Sequence, residues 1–388
     1  MSTILLRNDL SKTDPQIHIL SIGVGDYPHV VSNSGDPDCP PFSNLISPPT
    51  SALRWSKWLN DQNASLALPV GSIELVTSPN IQMDVGNGPV PSSDATLASI
   101  RSAFDRWYER CDWSKDNIGV FYFCGHGLSV GLDTLLLPAD FFKSSHSPFA
   151  DCIRLESTML GMLKNRANCQ LFLVDCCRSQ PNGFQPAYPT TPGVSLKDLR
   201  LSDYPLQSKC SSAIFAAQFG LEAFGPATAS ATPFVELLID GLANGTCARR
   251  GTLNWFVSPL SLANKSKQLA EFRQSLSNST FPTRTDVRHA SLFDGTFDRP
   301  LRELSSPPAV ATTVFVMNTQ PSATAALVVS ERGGGTIAKL ARSAWTSNDK
   351  IDLSLPAGFV DVSVVDPPAA TLLVSDVLVE PVQVIVRV

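Results

Sequence analysis

The chain has 388 residues, 43% of them hydrophobic, and a formal charge of -5 with no block of like charge. That length and apolar content suffice for two domains that each bury a core, and the weak acidity excludes the electrostatic footprint of a nucleic-acid or anionic-membrane partner. No stretch approaches the roughly 18 uninterrupted apolar residues of a membrane span. Met1 to Pro15 lacks the basic, apolar, small-residue order of a secretory leader. Nine cysteines, an odd count with none after Cys247, favour a reducing cytoplasm over a disulfide framework.

In chain order, residues 1–15 read as an N-terminal lead. Gln16 to Gly23 is a first buried strand in which His18 packs as a core residue, and Val24-Gly25-Asp26-Tyr27 follows it. Ser32 to Pro49, rich in proline and serine, reads as a surface loop. Ala52, Leu53, Trp55, Trp58 and Leu59 have helical spacing, so a helix is expected over 51–60 with Thr50 or Ser51 as its cap. Ile73 to Thr77 is a second strand. A helix over 94–110 should open on Ser92, Ser93 or Asp94. Ile118 to Cys124 is a buried strand running into Gly125-His126-Gly127, and Thr134 to Asp140 is a short strand or hairpin beside it.

An amphipathic helix over 155–166 leads to the apolar strand Leu171 to Val174, which ends in Asp175-Cys176-Cys177-Arg178. Pro181 to Lys209 holds Pro181, Pro186, Pro189, Pro192 and Pro205 and no periodicity, as a long functional or disordered loop does. A strand over 212–217 and helices over 234–242 and 261–276 complete an alternation of strands and helices. That alternation argues for an α/β domain over 16–300, a three-layer α/β/α sandwich on a mostly parallel sheet. Residues 301–308, with Ser305-Ser306-Pro307-Pro308, read as a linker. Beyond it Ile351/Leu353/Leu355, Val360/Val362/Val364 and Val382/Val384/Val386/Val388 alternate at period two, which predicts an antiparallel β-sandwich over 309–388.

The chemistry gathers at two strand ends. In open α/β sheets the crevice at the carboxyl ends of the strands binds ligands, and here two buried strands deliver a histidine and a pair of thiols there. A thiol attacks as its thiolate and needs a base or positive field beside it. His126 supplies the base. Its flanking glycines let a substrate backbone approach, and the Gly127 N–H with the N–H of the nucleophile can hold an oxyanion. Successive residues of an extended backbone point to opposite sides, so Asp175 and Cys177 share a side that Cys176 does not. Cys177 is therefore the favoured nucleophile. No orienting carboxylate can be assigned. Zinc held by Cys124, His126, Cys176 and Cys177 is the rival chemistry, disfavoured because adjacent thiols lack the C-x₂₋₄-C spacing. A hydrolase nucleophile elbow wants glycine two residues either side of the nucleophile, where Asp175 and Ser179 stand. His29, His146 and His289 read as solvated loop residues.

Gly125-His126-Gly127 and Asp175-Cys-Cys-Arg-Ser179 resemble the active-site motifs of caspase-like cysteine peptidases, the clan of caspases, metacaspases and orthocaspases. The separation, 177 − 126 = 51, agrees with the roughly 50 residues between the caspase histidine and cysteine. Thr134 to Asp140 is similar to the segment after the family histidine, and Ile214 to Gln218 through Phe234 to Gly241 looks like the strand and helix of the family's small subunit. The likeness covers about residues 16–285 and implies a cysteine endopeptidase acting on protein substrates, in cell death or defence. The Asp-x-Cys register is similar to metacaspases, which implies that Asp175 lies in the S1 pocket and favours Arg or Lys at P1. Ser51 stands where a second S1 acid is common, and Asp26 or Asp36 could compensate. By family position Gln218 and Glu222 line substrate subsites.

The 181–209 loop matches the intersubunit linker that is often cut on activation, with Lys197, Arg200 and Lys209 as basic candidates. No acidic cluster matches the metacaspase calcium requirement, so no cofactor and no metal is expected. A monomer is expected, with room for an upstream activating protein. The contrasting readings are an inactive caspase-like scaffold that binds partners through its C-terminal domain, and a signalling protease tuned to one partner protein.

Overall fold

The computed structural model describes the chain except residues 1–2, 31–41, 87, 145, 181–189, 201–205, 224, 277–284, 290–291, 317–321, 333–334, 346–349, 366–371, 382 and 388. Asp36 and much of the 181–209 loop therefore lie outside the described residues. The chain divides into two compact units, one of residues 1–239 with 258–302, the other of 240–257 with 303–388.

The first unit is built on seven strands: β1 (Thr3–Leu6), β2 (Ile17–Val24), β3 (Val70–Ser78), β4 (Ile118–Cys124), β5 (Cys169–Asp175), β6 (Cys210–Phe215) and β7 (Asp286–His289). They lie in the order β1-β3-β2-β4-β5-β6-β7. The five from β3 to β6 run parallel, and the two edge strands pair antiparallel. β2, β3, β4, β5 and β6 are buried along their whole lengths, as strands covered on both faces must be.

Helices α1 (Ser47–Asp61) and α2 (Leu97–Cys111) take opposite faces. The alternation along β2 decides this: Ser21 donates its hydroxyl to Ala52 O of α1, while Leu20, Ile22 and Val24 pack with Ile100, Ala103, Phe104 and Trp107 of α2. Arg106 and Arg110, one turn apart on α2, clamp the buried Glu74 of β3 at 2.9 and 2.6 Å. The other helices are α3 (Leu155–Met162), α4 (Pro233–Ala243) and α5 (Pro259–Leu276), the last packed on β6 and β7. Among the described residues no helix is long and apolar enough to cross a membrane.

Several expectations need correcting. The N-terminal lead contains β1, which extends the sheet by pairing with β3. α1 starts at Ser47 with prolines in its first turn, positions where no intrahelical N–H is needed. Ser51 is therefore not a cap but an interior residue donating to Ser47 O (2.9 Å). α2 is capped by Thr96, whose hydroxyl accepts from Ser99 N–H at 3.3 Å, while Asp140 accepts from Leu97 N–H. β7 hid behind its polar sequence. Its His289 is exposed as expected but sits in this strand rather than a loop, sharing a 2.9 Å hydrogen bond with Ser212 and meeting the Phe293 ring at a tilt.

In the second unit, residues 240–257 cluster with the C-terminal strands rather than with the domain read over 16–300, and 302–304 of the expected linker form a strand. The C-terminal strands are β8 (Ala309–Phe315), β9 (Ala326–Glu331), β10 (Thr336–Ala341), β11 (Lys350–Pro356), β12 (Gly358–Val365), β13 (Leu372–Val379) and β14 (Gln383–Arg387). They form two sheets, β11-β8-β14 and β10-β9-β12-β13. The second is antiparallel throughout; in the first β14 runs parallel to β8, which corrects the all-antiparallel expectation. Alternate residues such as Leu327/Val329 and Val360/Val362/Val364 are buried, as the period-two pattern requires.

Candidate active site

At the carboxyl ends of the neighbouring strands β4 and β5 the chain forms a cavity of about 200 Å³. Its walls include His126, Cys177 and Asp175, with Leu45, Pro48 and Thr232. Sheet register places the two ends side by side: Cys124 pairs with Asp175, and Gly125 N–H donates to Asp175 O (3.3 Å).

The imidazole of His126 is held on several sides. Its Nε2 lies 2.8 Å from the Ser43 carbonyl oxygen. A carbonyl only accepts, so Nε2 carries the proton and Nδ1 keeps the lone pair. The ring stacks on Phe42 (4.7 Å, 21°) and meets Tyr27 at 4.9 Å, while its own backbone N–H donates to Tyr27 Oη (2.7 Å). Burial lowers its pKa, with the Ser43 carbonyl opposing. It is a neutral base at pH 7. A main-chain carbonyl thus takes the orienting role for which the sequence offered no carboxylate.

Cys176 is buried and Cys177 half-buried, so the structure assigns access to the second thiol. Cys177 Sγ accepts from Ala223 N–H at 3.3 Å and lies 3.6 Å from Ala223 O. Arg178 N–H donates to Leu221 O and Gly220 N–H to Arg178 O, both at 2.9 Å, which lays residues 220–223 along the nucleophile strand. Burial raises the Cys177 pKa; the Ala223 N–H opposes, and the charges of Glu222 and Asp175 add to the rise.

Gly127 has a different steric job from the one its sequence suggests. A Cβ there would lie 2.4 Å from Cys176 Sγ and 2.7 Å from Cys177 O. The missing side chain admits the cysteine segment rather than a substrate. The Gly127 N–H faces the cysteine segment. Ser129, two residues on in the same strand, donates its N–H to Ser179 O (3.1 Å), and N–H groups at i and i+2 of a strand share a side. Gly127→Ala should destabilise the chain by about 1–3 kcal/mol and lower turnover at least tenfold, read from thermal melts and kcat. An unchanged melting point would refute the close packing.

Asp175 accepts from Tyr122 Oη at 3.1 Å and from the Thr232 hydroxyl, and burial raises its pKa to about 6 against those bonds and the Cys124 thiol. Ser51 does not line the cavity. It accepts from Thr232 N–H (2.9 Å) and so positions the residue that caps Asp175. Thr232→Val removes a donor to the ionised carboxylate, worth about 1.5–3 kcal/mol. The Asp175 pKa, and any activity limb it governs, should then move upward by about one to two pH units.

The remaining sequence candidates fall elsewhere. Asp26, whose backbone N–H donates to Ser78 O, and Gln218 are not among the cavity walls, and Glu222 is exposed beside them. Lys209 is 1% exposed, its ammonium donating to Asn168 Oδ1 and Arg166 O, so it is not a cleavable surface site. Lys197 packs over Tyr108 and against Gly161, while Arg200 is exposed. Sequence reading missed Tyr27, Phe42, Ser43, Tyr122, Ala223 and Thr232. Tyr27 and Tyr122 lay in segments read as strand or strand end and Phe42 and Ser43 in the Ser32–Pro49 loop, but none of them was singled out for the site.

A parallel α/β sheet that brings an imidazole and a thiol from adjacent strand ends to one cavity defines the scaffold class of the caspase-like fold. The caspase-domain (peptidase C14) family model matches residues 81–362, more than half of the chain, and the protein belongs to that family. The uncharacterized protein y4kE of Sinorhizobium fredii is 30% identical over 110 residues, 28% of this chain, and the match spans only about a third (32%) of that relative's length. Among solved structures, a protein from Geobacter sulfurreducens is similar at a TM-score of 0.41 with 14% identity, over 75% of this chain and 98% of that one. Caspase-1 from Spodoptera frugiperda is similar at 0.36 with 10% identity, over 72% and 90%.

Proposed function

We propose that the protein is a cysteine endopeptidase that cuts protein substrates after a basic residue. One observation carries this: His126, Cys177 and a buried carboxylate, Asp175, line the same cavity. In the proposed reaction His126 Nδ1 takes the Cys177 proton and the sulfur attacks the scissile carbonyl carbon. The N–H groups of Gly127 and Cys177 receive the oxyanion. The imidazolium then protonates the leaving amine, leaving a thioester that a water molecule, deprotonated by His126, hydrolyses to free the thiol.

Asp175 sits where it can pair with a P1 cation, and the tyrosine and threonine hydroxyls keep it ionised at neutral pH. The substrate must also displace Ala223 from the thiol. That hold on the sulfur is the observation favouring the inactive-scaffold reading. A fluorogenic peptide library varied at P1 tests both: hydrolysis of Arg and Lys peptides supports the enzyme, and a blank at every P1 from the chain cut in the loop before β6, with Cys177 reduced, overturns it.

Activation by self-cleavage in the loop before β6 is proposed at Arg200, the exposed one of the three basic candidates. Arg200→Gln should block processing and Lys209→Gln should leave it unchanged, read by mass of the fragments; cutting that survives Arg200→Gln refutes the site. A cytoplasmic monomer acting in cell death or defence completes the proposal. The reducing setting is supported by the odd cysteine count, and the pathway by family membership alone.

A further inference from the structure

At the far end of the sheet from the cavity, two cysteines face one another across β5 and β6. Cys169 and Cys210 are registered partners in the parallel pairing and both are fully buried. Asp298 joins them: the two Sγ atoms and a carboxylate oxygen all lie within 4.8 Å of one another, and Cys210 Sγ is 3.6 Å from Asp298 Oδ1. None of the three takes part in the proposed hydrolysis.

We propose that Cys169, Cys210 and Asp298 form a structural zinc site that ties β5, β6 and the segment before Arg302 together. A tetrahedral zinc with bonds of about 2.3 Å to sulfur and about 2.1 Å to oxygen sets its ligands roughly 3.6–3.8 Å apart. The Cys210–Asp298 spacing already meets this, and the rest needs a contraction of under about 1 Å. The carboxylate is braced as zinc-binding carboxylates are: Ser258 Oγ donates to its Oδ2 at 2.5 Å and Leu260 N–H to its Oδ1 at 3.1 Å. Three protein ligands leave the fourth position of a tetrahedral zinc to a water. Two thiolates with one carboxylate select a borderline-soft dication and reject calcium and magnesium, which take oxygen ligands. Both thiol protons leave to solvent on binding.

The test uses the full chain carrying Cys177→Ala, so that the dyad cannot bind metal, kept reduced with a non-chelating phosphine. One zinc per chain should survive desalting. Cobalt(II) in its place should give a thiolate-to-metal charge-transfer band. Zinc should raise the unfolding midpoint by about 5 °C at saturation, and adding Cys169→Ala and Cys210→Ala should abolish all three signals. No retained zinc, no charge-transfer band, or zinc retained after both substitutions overturns the proposal. The cobalt spectrum decides it even if the substituted core fails to fold. Because the nucleophile is absent throughout, failure here leaves the peptidase reading untouched.

Discussion

Replacing Cys177 by alanine is expected to lower kcat/KM by about four to six orders of magnitude while leaving the fold and melting point nearly unchanged. The thiol is the atom that bonds to substrate, and its only described polar partner is the Ala223 backbone, so little else depends on it. Cys176→Ala should behave oppositely. That side chain is buried against Gly127, so its loss costs stability and spares chemistry. His126→Ala should approach the Cys177→Ala loss, because members of a nucleophile–base pair act as a unit. Equal activity losses in Cys176→Ala and Cys177→Ala would contradict the assignment.

The second large effect concerns Asp175. Asp175→Asn is expected to cut kcat/KM for P1 Arg by about a hundred- to a thousandfold, the scale for removing one partner of a desolvated ion pair. It should spare peptides with a neutral P1. The same substitution should stabilise the protein at pH 7.5. The sign follows from linkage. Folding raises the Asp175 pKa from 3.8 to about 6, so the folded chain binds the proton more tightly than the unfolded one. The fold gains from protonation below pH 4, loses that gain as pH climbs from about 4 to about 6, and carries the cost of the buried charge above it.

That cost is roughly 3 kcal/mol at about 1.4 kcal/mol per pH step. Denaturant melts of Asp175→Asn should gain at pH 7.5 and show no gain at pH 4. Cleavage after Arg should rise through pH 6 as Asp175 ionises, and cleavage after a neutral residue should lack that limb. The His126 limb lies lower than an ordinary histidine's, since burial depresses its pKa. A destabilised Asp175→Asn at pH 7.5, or the same limb with both peptides, would refute the role.

The parallel strands were readable because continuous apolar runs ending at glycine or acid have few other uses. The edges were not. β1 and β7 are short and partly polar, and only their pairing partners make them strands. The dyad was legible from two motifs at strand ends, but its supports were not. The group that orients His126 is the carbonyl of Ser43, which any residue type would supply. Thr232 reaches Asp175 from far along the chain, and Ser51, read as a missing acid, proves to hold Thr232 instead. Lys209 looked like a loop lysine until β6 drew it into the sheet, where burial lowers its pKa to about 8.

The most direct measurement is covalent labelling of the reduced full chain with a peptidyl chloromethyl ketone bearing P1 Arg, followed by peptide mass mapping. One adduct on Cys177, absent in His126→Ala and weakened in Asp175→Asn, is the expected result. An adduct on another cysteine, or labelling of Cys177 that is indifferent to both substitutions, would contradict a thiol activated by His126 and addressed through Asp175.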